Sequence, residues 1–261
     1  MLRLHDDTPG LPSGEVPREA VYADLRFGDR APADRPYVVV NMVATIDGKV
    51  VIGGPGTTRL IGSRTDHYLM TRIDGQCDAV LFGANLLRED DPRYPFHDEA
   101  RRARRVARGV RPEPLWVGVT SRAAFPRVPR MFEGGAARTV LFAGSGIAPH
   151  DRATYGAATT LVVADGPEVS LPEMLRVLRD DFGVRSACCL GGPALNAGML
   201  RAGLVDEVFC TIAPKVHNGQ RGTTMFEGEP FPVDALPRFD LAAVHADDGE
   251  VYLRYRVRRA P

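Results

Sequence analysis

The chain is poor in the residues that staple or metallate a fold. Its 261 residues include four cysteines (Cys77, Cys188, Cys189, Cys210) and six histidines. No C-x-x-C occurs, and the histidines show no zinc-ligand spacing, so neither a structural nor a catalytic metal is expected. Three cysteines sit in apolar runs, where a reduced thiol behaves as a small hydrophobe. Cys188 and Cys189 would point to opposite faces of a strand, which disfavours a bond between them. An excess of charge is also lacking: 33 Lys plus Arg balance 33 Asp plus Glu, which argues against a nucleic-acid partner. No run approaches the roughly 18 apolar residues of a membrane helix. The N-terminus has no apolar signal-peptide core. The cytoplasm is the expected compartment, with no membrane partner. The G-x-G-x-x-G fingerprint is missing too, so a standard Rossmann domain is not expected.

What is present is a soluble globular composition, 44% hydrophobic and 25% charged. The length suits one large α/β domain or two small ones. Residues 1–36, rich in Pro, Gly and Asp, read as an arm with one helical turn near Arg18–Asp24. The remainder, 37–261, reads as a single domain. Continuous apolar runs at 37–45, 77–83, 115–121, 138–143, 159–164 and 208–214 suit strands buried on both faces. Ser63 can cap a helix through Asp74, with Asp66 at the box position. Ser170 caps a second helix whose Met174, Leu175, Leu178 and Phe182 form one stripe, ended by Gly183. Alternating strands and helices predict an α/β fold with a mostly parallel central sheet flanked by helices. At the C-terminus, 239–245 and 250–257 alternate around Asp-Asp-Gly, an antiparallel hairpin at one edge. The arginine-rich stretch 98–112 would gather Arg101, Arg104, Arg105 and Arg108 on one side of a helix. It reads as a solvated face or as an anion site.

The run "CLGGPALNAGMLRAG" (189–203) ends a buried strand in Gly-Gly-Pro and opens at once into a helix. Parallel sheets present ligands at the carboxyl ends of their strands. A helix starting there aims unpaired N–H groups outward. Gly191 and Gly192 let a phosphate approach the backbone, and Pro193 fits the first turn, where its missing N–H costs nothing. A pyrophosphate cradle is one reading; a structural turn is the other. Gly83 and Ala84 allow similar close approach after the 77–83 strand, with Asp90-Asp91-Pro92 beyond. Thr120, Ser121 and Arg122 end the next strand, two hydroxyls beside a guanidinium that suit a phosphate monoester. Asp47-Gly48 reads as a turn after the first strand.

"RPYVVVNMVATIDGKV" (35–50), "CDAVLFGANLLREDDPR" (77–93) and "LGGPALNAGMLRAGLVDEVFCTIAPKV" (190–216) occur in the order and spacing of a known family. Together they resemble the reductase domain of riboflavin biosynthesis, and the resemblance covers Arg35 to the C-terminus. It implies a dihydrofolate-reductase-like fold and a single reductase domain over 37–261. It also implies NADPH as cofactor, a ribosylaminopyrimidine 5′-phosphate as substrate, hydride transfer to the ribosyl C1′, and a homodimer. Gly83, Ala84, Asn85 and Leu86, with Gly191, Gly192, Pro193, Ala194 and Leu195, would hold the dinucleotide. Thr120, Ser121 and Arg122 would read its adenosine end, and Ala44 would line the nicotinamide site. Asn41 and Asp90 are the candidate polar groups beside the reacting carbon, Asn41 having backbone pairing as its alternative. The H-x-E and P-C-x-x-C pattern of the deaminase domain carried by bifunctional relatives is absent.

Several positions depart from the family pattern. Asn41 stands where many members have Lys, and Leu86 where Thr is frequent. Thr58-Arg59-Leu60 replaces Ser-x-Trp, with Thr58 and Leu60 at substrate positions. Leu190 replaces a Glu, Asp74 replaces an Arg that binds substrate phosphate, and His97 replaces another Arg. Either a different cation takes over, with Arg93 or the 101–108 arginines as candidates, or the natural substrate lacks that phosphate. A pterin reductase on the same fold and a nucleotide-binding protein without turnover are the competing readings.

Overall fold

The structure is a computed structural model and describes residues 1–53, 57, 60–92, 99–219 and 222–259. Its elements in chain order begin with β1 (Leu2–Asp6), β2 (Gly14–Glu15), β3 (Tyr37–Thr45), α1 (Arg64–Asp74), β4 (Ala79–Gly83), α2 (Ala84–Glu89) and α3 (Glu99–Ala107). There follow β5 (Leu115–Thr120), β6 (Thr139–Ala143), α4 (Pro149–Ala158), β7 (Thr160–Val163), α5 (Leu171–Asp180) and β8 (Ser186–Cys189). The chain ends with α6 (Pro193–Arg201), β9 (Glu207–Ala213), β10 (Arg238–Asp247) and β11 (Glu250–Arg258). The expected strands and helices all form, with bounds moved by a residue or two, and the fold is the α/β class that the alternation predicts. Among the described residues no helix is long and apolar enough to cross a membrane.

The chain folds as two compact units. The first comprises Met1–Leu25, Val38–Ile73 and Pro193–Pro261, and the second Arg26–Tyr37 and Asp74–Gly192.

In the first unit the strands run β2-β1-β10-β11-β9-β3. All pairs are antiparallel except β9 with β3, which are parallel. β3 is YVVVNMVAT, β-branched and buried at all but one position, so it needs cover on both faces. Asp248 (φ 46°) and Gly249 (φ 81°) close the β10–β11 hairpin in the left-handed pair of a type I′ turn. The hairpin joins β9 through β11, and on its other side β1 pairs with β10. Residues 1–36, expected as an arm, thus contribute β1 and β2 to this sheet, and the helical turn near residue 18 is a single 3-10 turn, Arg18–Ala20.

In the second unit β8-β4-β5-β6-β7 are all parallel. All their carboxyl ends therefore lie on one rim. α5 forms as read: Ser170 Oγ accepts the Glu173 amide, and Met174, Leu175 and Leu178 are buried. Gly183, at φ 68°, lets the Val184 amide return to Leu178 O at 3.0 Å and ends the helix. The core under β4–β6 is built from Phe82, Leu87, Met131, Leu141 and Tyr155.

Candidate active site

The two glycine turns of the second unit meet through their backbones. The Gly83 amide at the end of β4 donates to Gly191 O at 2.7 Å, and the Leu190 amide donates to Leu81 O at 3.2 Å. A methyl group on Gly83 would lie 2.7 Å from the Gly192 nitrogen, so only glycine fits there. Gly191 has φ 104°, another conformation that L side chains rarely adopt, and the Gly191–Gly192 peptide is cis. The unit boundary falls between Gly192 and Pro193.

At the next strand ends the same device recurs where no motif pointed to it. The Gly144 amide donates to Thr120 O at 3.1 Å, and the Ser145 amide to Gly166 O at 2.8 Å. A methyl on Gly144 would meet Pro167 O at 2.1 Å and Ser121 O at 2.5 Å. The signal was present in "FAGSG" and "ADGP": a glycine directly after an apolar strand, as at Gly83. Thr120 itself is buried, and its hydroxyl accepts the Ala123 amide at 3.0 Å. That hydroxyl holds the turn through a lone pair and keeps its own proton to donate. Ser121 and Arg122 are exposed. The rim of the second unit thus packs its own backbone tightly at Gly83 and Gly144, leaves open space at Gly192, and carries an exposed hydroxyl and guanidinium at residues 121–122. A dinucleotide phosphate has room at Gly192, where a Cβ would meet nothing within 4 Å, whereas Gly83 and Gly144 are glycine because neighbouring backbone fills the Cβ position.

α2 follows Gly83 directly. Ala84 is half-buried, while Asn85 is exposed and accepts from Arg88 at 2.8 Å. Leu86 packs against the core, which explains an apolar residue at that position. Asp90, half-buried, ends the helix with its amide on Leu86 O at 3.0 Å. Its neighbour Asp91 is structural: buried, it takes the Arg130 amide at 2.8 Å and the Arg127 guanidinium at 2.6 Å.

Asp74 is buried at the end of α1, with Arg101 Nη1 4.0 Å from its carboxylate. Burial pushes its pKa up to about 7, a rise that Arg101 opposes. The arginine-rich stretch forms α3 (Glu99–Ala107), with Arg108 just beyond its end, and the helix is not wholly solvated. Arg105 is buried, donating to Gly75 O at 2.9 Å, Cys77 O at 2.6 Å and Arg111 O at 2.8 Å. Arg104 is exposed.

In the first unit Asn41 is buried on β3 and donates to Met70 O of α1 at 3.1 Å. One of its donors is therefore spent on helix backbone, the second of the two roles expected for it. Ala44 is fully buried, level with Ile212. Asp47 accepts from Thr45 Oγ1 at 2.7 Å and from the His217 and Asn218 amides, which lower its pKa to about 2. It holds a turn. Leu60 is exposed, and Lys215 Nζ clamps the Leu60 and Ile61 carbonyls at 2.8 and 2.7 Å. Pro193 opens α6 and accepts the Glu227 amide at 3.2 Å; Ala194 is exposed and Leu195 buried. Thr58, Arg59, Arg93 and His97 lie outside the described residues.

A model of the RibD C-terminal domain matches residues 36–253. The chain belongs to the RibD C-terminal domain family. It is 30% identical over 226 residues to the 2,5-diamino-6-ribosylamino-4(3H)-pyrimidinone 5′-phosphate reductase of Methanothermobacter thermautotrophicus, covering 86% of this chain and 99% of that protein. The protein of the same name from Archaeoglobus fulgidus is 33% identical over 198 residues, covering 76% of this chain and 89% of its own length. Among solved structures, a pyrimidine reductase-like protein from Corynebacterium diphtheriae superposes with TM-score 0.75 at 17% identity, over 93% of this chain and 99% of that one. Acinetobacter baumannii RibD gives TM-score 0.70 at 19% identity; 87% of this chain is covered, and 59% of that protein. These two likenesses concern the fold.

Within the RibD C-terminal domain frame, two of the substituted positions have local explanations. Leu190 is half-buried and packs against the core that holds Phe82 and Leu87. Asp74 faces Arg101, so the carboxylate has a cation of its own. The first unit also carries a polar knot that no sequence motif announced. Glu250 accepts from the Ser63 amide at 2.7 Å, from Ser63 Oγ at 2.6 Å and from the Tyr252 hydroxyl. Asp66 is buried beside it, and burial raises its pKa to about 6. Ser63 and Glu250 are 187 positions apart, and no local pattern links them.

Proposed function

We propose that the chain is an NADPH-dependent reductase of a ribosylaminopyrimidine 5′-phosphate, of the riboflavin-biosynthesis type. The observation that carries this reading is the likeness to a reductase named for that substrate class, spanning 99% of its length. The rim of the second unit agrees with it. Gly192, where a Cβ would meet nothing within 4 Å, leaves backbone that a phosphate can approach. Ser121 and Arg122 stand exposed where a 2′-phosphate would be read, which supports NADPH over NADH.

When bound, the nicotinamide supplies hydride to the ribosyl C1′ and so turns the ribosylamino group into a ribitylamino group. The protein's own share is positioning and proton control. Backbone at Gly83 and Gly191 fixes the dinucleotide, and Asp90 is the polar group proposed near the reacting carbon. Asn41 acts as a positioning residue that holds β3 to α1. Arg101, paired with Asp74, is the cation proposed to replace the missing phosphate ligand. The four cysteines, all free and buried, agree with a reducing cytoplasm, and a homodimer goes with the reading.

The test is NADPH oxidation with enzymatically generated diamino-ribosylaminopyrimidinone phosphate, with NADH as control. Turnover that prefers NADPH is the expected result. Protein that binds NADPH yet turns over no such pyrimidine overturns the substrate assignment and leaves the cradle standing.

A further inference from the structure

The two parallel strands of the first unit end at the same level, since Thr45 of β3 stands opposite Ala213 of β9. The segments that follow them are sewn together. The Ile46 amide donates to Lys215 O at 2.8 Å, and the Val50 amide to Thr223 O at 2.9 Å. The His217 and Asn218 amides donate to the Asp47 carboxylate at 3.1 and 2.9 Å. Backbone bonds and one carboxylate thus fix Lys215 from both sides.

A third segment reaches this lysine from the stretch before α1. Lys215 Nζ donates to Leu60 O at 2.8 Å and to Ile61 O at 2.7 Å, two successive carbonyls. A compact ammonium with three donors suits such a pair better than a planar guanidinium does. Beyond it the chain has separate holds. Gly62 passes over the buried Asp66, where a Cβ would meet Oδ2 at 2.0 Å, and Glu250 takes the Ser63 amide and hydroxyl at 2.7 and 2.6 Å. On the other side the Leu60 amide donates to Thr57 O at 2.9 Å. Glu250 therefore anchors the start of α1, and Lys215 anchors residues 60–61. Leu60 is exposed, at a position that the family resemblance gives to substrate. Ile46 and Val216, on the other two segments joined at Lys215, are exposed as well. Isolated exposed apolar side chains need no explanation, whereas three on segments tied to one lysine point to a surface in use.

We infer that Lys215 is a positioning residue, whose ammonium sets where Leu60 stands and so how tightly the pyrimidine substrate is held. It acts through the 60–61 backbone and does not touch substrate. This role rests on the reductase activity proposed above.

The experiment compares the full chain with Lys215→Met, which keeps the aliphatic stem and removes the donors. Two charge-assisted bonds are lost, so the KM for the ribosylaminopyrimidine phosphate should rise by about tenfold. Both kcat and the KM for NADPH should stay within about twofold of wild type. In hydrogen exchange followed by NMR, the Leu60 amide should exchange at least about tenfold faster. The Ser63 amide, held by Glu250, should keep its rate. Lys215→Arg keeps the charge and should recover part of the lost KM. Should the Met variant fail to fold, Lys215→Gln, checked by thermal melting, takes its place. An unchanged pyrimidine KM in a folded variant overturns the inference. So does a raised KM without faster exchange at Leu60, the sign of direct contact with substrate. Wild-type protein without turnover is a separate failure, which removes the reductase reading and this role with it.

Discussion

The amide of Gly83 and the carbonyl of Gly191 are joined at 2.7 Å, which stitches the carboxyl end of β4 to the turn that follows β8. Two chain segments more than a hundred residues apart thus form one glycine-lined edge. A Cβ at residue 83 has no room, because the Gly192 nitrogen would be 2.7 Å away. Gly83→Ala should therefore push the two turns apart. We expect a loss of about 1–3 kcal/mol in stability and about tenfold weaker NADPH binding. Denaturant unfolding and fluorescence titration measure the two, and unchanged affinity would refute the cradle.

Glu250 and Ser63 predict a graded series. Ser63→Ala removes the helix cap and should cost about 1 kcal/mol. Glu250→Ala strands the Ser63 amide, its hydroxyl and the Tyr252 hydroxyl, and should cost about 3 kcal/mol. Glu250→Gln keeps an acceptor and should fall between them. Urea unfolding of the three variants gives the order directly.

Arg105 and Arg104 share one helix yet should behave oppositely. Arg105→Ala leaves three backbone carbonyls without their donor and should destabilise by about 3 kcal/mol. Arg104→Ala, on the exposed side, should stay within about 0.5 kcal/mol of wild type. Equal thermal shifts for the two would remove the structural role assigned to Arg105.

His245 and Asp66 pull the pH profile in opposite directions. Burial lowers His245 from 6.5 to about 4, so the folded chain keeps it neutral while the unfolded chain takes up a proton. Stability from this residue is present above pH 6.5 and is lost as pH falls toward 4. Burial raises Asp66 from 3.8 to about 6, so the folded chain binds the extra proton and stability falls as pH rises across that interval. Unfolding free energy measured from pH 4 to 8 should show His245→Phe flattening the acid side. Asp66→Asn should gain on wild type as pH rises from 4 to 6 and hold that gain above. A parallel profile for either variant would contradict its assignment.

Much of this molecule was legible in the linear pattern. β3 runs over the nine residues read for it, because a valine-rich, largely apolar run can be satisfied only between two covered faces. α5 begins after the Ser170 cap and ends at Asp180, three residues short of the glycine that the motif named, with Phe182 of the expected stripe beyond its end. The glycine turns were visible as breaks at strand ends. The bond from the Ala123 amide to Thr120 Oγ1 was not, because the letters around a hydroxyl do not show which backbone amide it accepts. Leu190 and Leu86 looked like lost polar contacts in sequence and are apolar packing in space.

The sequence by itself determined the alternation of strand and helix, the start of α6 at Pro193 and the family, since these rest on local sterics, hydrophobic period and the order of motifs. Only tertiary structure decided which strand ends share a rim, that Arg105 turns inward while Arg104 stays in water, and that Ser63 finds Glu250. Those outcomes depend on which distant backbone groups remain unsatisfied once the sheet has formed. A buried donor or acceptor must be met by whatever side chain the topology brings within reach.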